Sequence, residues 1–152
     1  TSGLMVLART AHAHREISMQ FSQGLPQKTY IALLDGILMA QSGKIELSFR
    51  LDPDNRPYQV YDPERGKSGI TLWQKISVEN NRTRVQFTSL TGRTHQLRLH
   101  AAHEHGLNTP IVGDSLYGKG KEGDQMLLHA AKLSILHPQS GKEISFISPV
   151  PF

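Results

Sequence analysis

Cysteine is absent from the 152 residues, which excludes disulfides and thiolate metal sites and suits a reducing compartment. Long apolar runs are absent too. Nothing approaches the roughly 20 residues of a membrane-spanning helix, and no basic segment followed by an apolar one opens the chain as a secretory signal would. The sequence reads as soluble and cytoplasmic. Aromatics are sparse, 7% with a single tryptophan, and there is no internal repeat or low-complexity tract. Acidic residues are the minority, 13 against 17 Lys and Arg, for a formal net charge of +4. That balance suits a polyanionic partner and equally an ordinary soluble enzyme.

What is present suffices for one core. With 38% AVILMFWYC over this length, a single domain spanning 1–152 is expected. The chain opens on Thr1 rather than Met, and "GLMVLA" reads at once as a buried strand over 3–8. Domains seldom begin inside a core strand, so a segment ahead of Thr1 is expected. Thr10 as N-cap and Gly24 as a stop bracket a helix. "KTYIALLDGIL", "GKIELSF", "ITLWQKISV", "RTRVQFTSL", "MLLHAAKLSIL" and "EISFISPV" are β-branched or alternating runs and predict strands. "ENN" between two of them is a hairpin turn. Residues 51–67 read as one long loop, the kind that tends to serve function. "HQLRLHAAHEHG" shifts to a helical period and ends near Gly106. The sum is an α+β fold, a mostly antiparallel mixed sheet with a few flanking helices.

Three motif matches fail on inspection. "GKS" at 66–68 lacks the leading glycine of a phosphate-binding loop, since Tyr61 stands there. "DPDNRP" places Arg56 at a calcium-ligand position and Pro57 where the turn glycine belongs. Among the histidines at 95, 100, 103 and 105, only His100 and His103 have a helical ligand spacing, so no metal site is expected. A metal-dependent hydrolase built on that cluster is correspondingly disfavoured.

The stretch "TSLTGRTHQLRLHAAHEHG" carries more. Thr91 and Gly92 fall at a strand-to-helix turn, and Arg93 and Thr94 precede a helix start whose amides favour a phosphate. On spacing alone, Arg98 is equally an oxyanion ligand and half of an ordinary surface ion pair. "GRTHQLRLH" followed by "PIVGDSLYG" resembles the RluA-type family of RNA pseudouridine synthases, with its G-R-T-H-Q-L-R-x-H and L-G-D-x-x-Y-G blocks. "TSGLMVLART", "KTYIALLDG", "GKSGITLW" and "LLHAAKLSILHP" resemble further family blocks in the same order, so the likeness runs from Thr1 to Phe152.

The resemblance implies isomerisation of uridine in RNA, with no cofactor and no metal. It implies a base taken out of its stack into a closed pocket. Tyr30 matches the active-site tyrosine that stacks on the uracil; as a strand aromatic it would otherwise read as core. Arg98 matches the arginine that pairs with the nucleophilic aspartate, and Leu97 would wall the pocket. Arg93, Thr94, His95, Gln96 and Leu97 are expected to bind substrate, with Arg93 towards phosphate and His103 and His105 ordinary surface residues. The family's nucleophile is the Asp of an H-R-L-D-x-x-T-S-G motif, which would stand three positions before Thr1. None of the aspartates at 35, 52, 54, 62, 114 and 124 matches it, and Asp114 reads as a structural turn. The expected partner is a tRNA anticodon stem-loop or large-subunit rRNA, bound by a monomer. As given, the fragment is expected to be inactive. The alternative is a non-catalytic RNA-binding module that kept the fold. Two departures from the family stand out: Gly69 where Ala or Pro is usual, and a slightly long "HEHGLNTPIVGD".

Overall fold

Alternating burial decides most of this chain. In β6 (Arg82–Ser89), Thr83, Val85, Phe87 and Ser89 are buried while the residues between them are not. β3 (Ser42–Leu51) hides Ile45, Leu47 and Phe49, and β5 (Lys67–Glu79) hides Gly69, Thr71 and Trp73. A period of two puts each set on one face of a sheet. Asn80 and Asn81, at φ 50° and 60°, make the left-handed turn that closes a tight hairpin between β5 and β6.

The computed structural model describes all 152 residues. Besides those strands it contains β1 (Ser2–Gly3), α1 (Ala11–Ser22), β2 (Gln27–Leu34), β4 (Gln59–Tyr61), α2 (Gln96–Ala102), β7 (Leu128–Leu136) and β8 (Glu143–Ile147). The strands form one sheet in the order β1-β7-β2-β6-β5-β3-β4, with β8 also on β7. β1 runs parallel to β7; the other pairings are antiparallel. This is the expected α+β class. No helix is long and apolar enough to cross a membrane.

One face of the sheet carries the core. Leu34, Leu47, Trp73, Val85 and Phe87 pack there with Leu97, Leu99 and Ala101 of α2 and with Ile111 from the connection to β7. α1 attaches near the other end. Thr10 caps it by accepting the Ala13 N–H at 3.1 Å, and Gln20 exchanges two 2.8 Å hydrogen bonds with the Leu136 backbone.

Three boundaries differ from the sequence reading. The strand expected over 3–8 stops at Gly3 because β8 takes the same edge of β7 from Lys132 onward; Met5 and Leu7 are then left exposed. The long loop contains β4, which folds back onto β3. α2 ends at Ala102, with His103 extended. The chain then doubles back through Gly106 and Asn108, whose amides both donate to His103 O.

Candidate active site

Tyr30 sits mid-sheet, paired with Phe87 on one side and Ala130 on the other. Two residues earlier on the same strand face, Lys28 points the same way. Their strand ends at a cavity of about 490 Å³ whose walls include Lys28, Tyr30, Gly92, Arg93, Leu97 and Arg98. Met126 and Leu128 add apolar surface, and Thr1 stands at its border. No carboxylate lines it. Burial raises the pKa of the Tyr30 hydroxyl, which keeps it protonated at neutral pH.

The opposite wall is α2 and the turn before it. His95 enters at φ 55° with no side-chain cap on the helix. Gln96 then turns inward and is buried. Its Oε1 accepts from Thr91 Oγ1 at 2.7 Å and from the Arg93 N–H at 3.0 Å. Its Nε2 donates to Ile70 O and Thr71 Oγ1, both at 3.0 Å. One amide side chain thus bolts the turn to β5. Gly69 makes room for it: a Cβ there would stand 3.0 Å from Gln96 Cδ and Oε1. A side chain at Gly69 would require Gln96 to give by a few tenths of an ångström.

The Arg93 amide is taken by Gln96, and the helix is only seven residues long. Arg93 itself reaches the cavity, steadied by its Nε donating to Ser68 O at 2.9 Å. Thr94 faces away from the cavity, into a neighbouring one of about 590 Å³ that Arg50, Arg65 and Lys67 also line. His95 borders both, with Nδ1 at 2.9 Å from the Tyr117 hydroxyl. Its pKa is lowered by burial first and then by the charge of Arg98.

Arg98 is not waiting for a carboxylate alone. Its Nε and Nη2 grip Asp114 as a fork, at 2.9 and 2.5 Å, and Tyr117 lies beneath the guanidinium with 5.2 Å from ring centre to Cζ. Asp114 is wholly buried and also accepts the amides of Leu116 and Tyr117. Burial alone would raise the Asp114 pKa; the hydrogen bonds from Arg98 and those two amides hold it below the usual carboxylate value. The turn role of Asp114 was legible in "GDSLYG", the partnership across 16 residues was not. His103, half-buried, and His105, exposed as expected, pack against the Tyr61 ring, tilted at 4.9 Å and edge-on at 5.2 Å between ring centres. Sequence reading also passed over Lys28 and Tyr117. A charged residue in phase with Tyr30, on the core face of a strand, was the available signal for Lys28.

A family model described as RNA pseudouridylate synthase matches residues 1–103. The dual-specificity RNA pseudouridine synthase RluA of Pasteurella multocida is 39% identical over 156 residues, covering 100% of this chain and 70% of that protein. Its namesake in Escherichia coli K12 is 36% identical over the same shares. The structure of human RNA pseudouridylate synthase domain containing 1 superposes with a TM-score of 0.76 at 26% identity, over 95% of this chain and 63% of the human one. Human RNA pseudouridylate synthase domain containing 4, at 22% identity and a TM-score of 0.74, covers 97% of this chain and 66% of its own and shares the fold. This chain spans just under two thirds of each human chain. With the family model matching residues 1–103 and relatives 36% and 39% identical along the whole chain, the chain belongs to the RNA pseudouridylate synthase family.

Proposed function

We propose that this chain is the catalytic domain of an RNA pseudouridine synthase that isomerises uridine in a tRNA anticodon stem-loop or large-subunit rRNA, acting as a cytoplasmic monomer. The observation that carries the reading is the cavity itself: Tyr30 and Leu97 offer apolar walls to a flipped base, and Lys28, Arg93 and Arg98 surround it with positive charge. A neutral ring brought in on a polyanion fits that combination. In the reaction the bond from uracil N1 to ribose C1′ breaks, the ring turns, C5 bonds to C1′, and the C5 proton is lost while N1 gains one. In this reading Tyr30 stacks on the ring as it turns. The nucleophile in this reading is an aspartate three positions ahead of Thr1; three residues reach at most about 10 Å, and Thr1 already borders the cavity. The substrate assignment is supported by the relatives' description as dual-specificity RNA pseudouridine synthases.

A second reading, a binding module without turnover, gains from the Arg98–Asp114 fork. That pair gives Arg98 a structural use independent of any nucleophile. One assay separates the two. Pseudouridine formation on a uridine stem-loop, followed by mass spectrometry, is expected from a protein extended upstream through H-R-L-D and not from residues 1–152. Tyr30→Phe in the extended protein should remove most turnover while leaving binding. Binding without turnover by the extended protein would establish the module instead. Equal turnover by both would place the nucleophile inside residues 1–152.

A further inference from the structure

Within residues 1–152 Lys28 is a charge without a counter-charge. It is 8% exposed, none of the ion pairs in the chain includes it, and its one hydrogen bond, to Thr91 O, is long at 3.4 Å. The Phe21 ring, 5.8 Å from Nζ, compensates only weakly. Burial pushes its pKa down accordingly. Strands tolerate such a residue on the core face when an arriving anion neutralises it, because an isolated buried ammonium is costly. Three features aim the ammonium into the cavity. It borders that space beside Tyr30. It reaches the turn at Thr91 and Gly92, where a Cβ on Gly92 would come within 3.6 Å of Nζ. On the strand, side chains two apart stand about 7 Å from one another, so a base stacked on Tyr30 lies beside Lys28, and the anion that RNA brings with it is its phosphate.

We infer that Lys28 is a substrate-binding residue that takes an oxygen of the target nucleotide's phosphate, in the turn formed by Thr91 and Gly92. This rests on the proposed function and adds the anion subsite to it. The cost of keeping the ammonium buried in the free protein is recovered when RNA binds. Lys28 is thus a residue selected for binding at the expense of stability.

The experiment measures stem-loop affinity and thermal stability for the unaltered chain, Lys28→Met and Lys28→Arg. It uses two RNAs, one native and one with an uncharged methylphosphonate at the target nucleotide. Lys28→Met should bind native RNA about tenfold more weakly, with the slope of log K against log salt shallower by about 0.7–0.9. It should bind the neutralised RNA as the unaltered chain does, and melt no lower than it. Lys28→Arg should keep most of the affinity. Three results overturn the inference: unchanged affinity of Lys28→Met, equal losses on both RNAs, or a lowered melting temperature with the RNA discrimination intact. In the extended, active protein, a shifted pH profile of conversion with unchanged RNA affinity would assign the ammonium to the nucleophile's carboxylate and likewise overturn it. If the unaltered chain binds neither RNA and the extended protein converts none, the proposed function itself has failed; if the one binds and the other converts and Lys28→Met behaves like the unaltered chain, only this inference has.

Discussion

The guanidinium of Arg98 has Nε and Nη2 committed to Asp114, and only the remaining N–H groups are free to meet anything in the cavity. Because Asp114 is fully buried, removing the arginine strands a carboxylate in a place that cannot solvate it. Arg98→Ala should therefore cost about 3–5 kcal/mol of stability, read as a fall in the urea midpoint, before any effect on turnover is considered. Adding Asp114→Asn to it should recover part of the loss, since the two sites share one interaction. A midpoint unmoved by Arg98→Ala would show the fork to be incidental. The sequence offered both residues, each in its own block, but it offered no way to join them. Pairing across 16 residues is fixed by the path of the chain from α2 to β7, which no local pattern records.

At the scale of elements, α2 is too short to stand by itself. Seven residues without a side-chain cap are marginal as an isolated helix, and its place is set by Gln96 beneath it. Gln96→Ala would leave the Ile70 carbonyl and the Arg93 amide without that partner inside the fold. A loss of about 2–4 kcal/mol is expected, together with weaker RNA binding as Leu97 and Arg98 lose their footing; chemical denaturation and a binding titration on the same variant test both. A variant as stable as the parent would mean that the turn is held by something else. Strand positions were largely legible, because alternation is a local signal, as in Thr83 to Ser89. Strand ends were not. Gly3 ends β1 only because β8 competes for the same edge, a fact about residues 143–147. Gln96 read as a substrate ligand; it borders the cavity, but no local pattern records that its amide also ties the turn to Ile70 and Thr71 of β5.

On the scale of the whole molecule, His100 ties stability to acidity. It is fully buried at the junction of α2 with β5, with Nδ1 2.9 Å from Thr71 Oγ1 and no partner for Nε2. Burial pushes its pKa down from 6.5 to about 4. Between those values the unfolded chain binds a proton there that the folded chain refuses, so stability is full above pH 6.5 and falls as pH drops towards 4. The loss reaches about 3 kcal/mol at the lower end. Urea midpoints at pH 7 and pH 5 should differ for the parent by more than for His100→Leu, which has nothing to protonate. Equal differences would clear His100 of the effect.

The position of β7 has a consequence for how the protein comes into being. β2, which bears Lys28 and Tyr30, lies between β6 and β7, and β7 is made only after residues 1–127. Until Leu128–Leu136 has left the ribosome, one edge of β2 is bare, the cavity lacks the Leu128 side of its wall, and an unpaired strand is open to the wrong neighbour. Contacts this distant in sequence also close slowly. A nascent chain therefore completes this cavity only once residues 128–136 have emerged, and any pause or cleavage before residue 128 yields an aggregation-prone intermediate rather than a weaker enzyme.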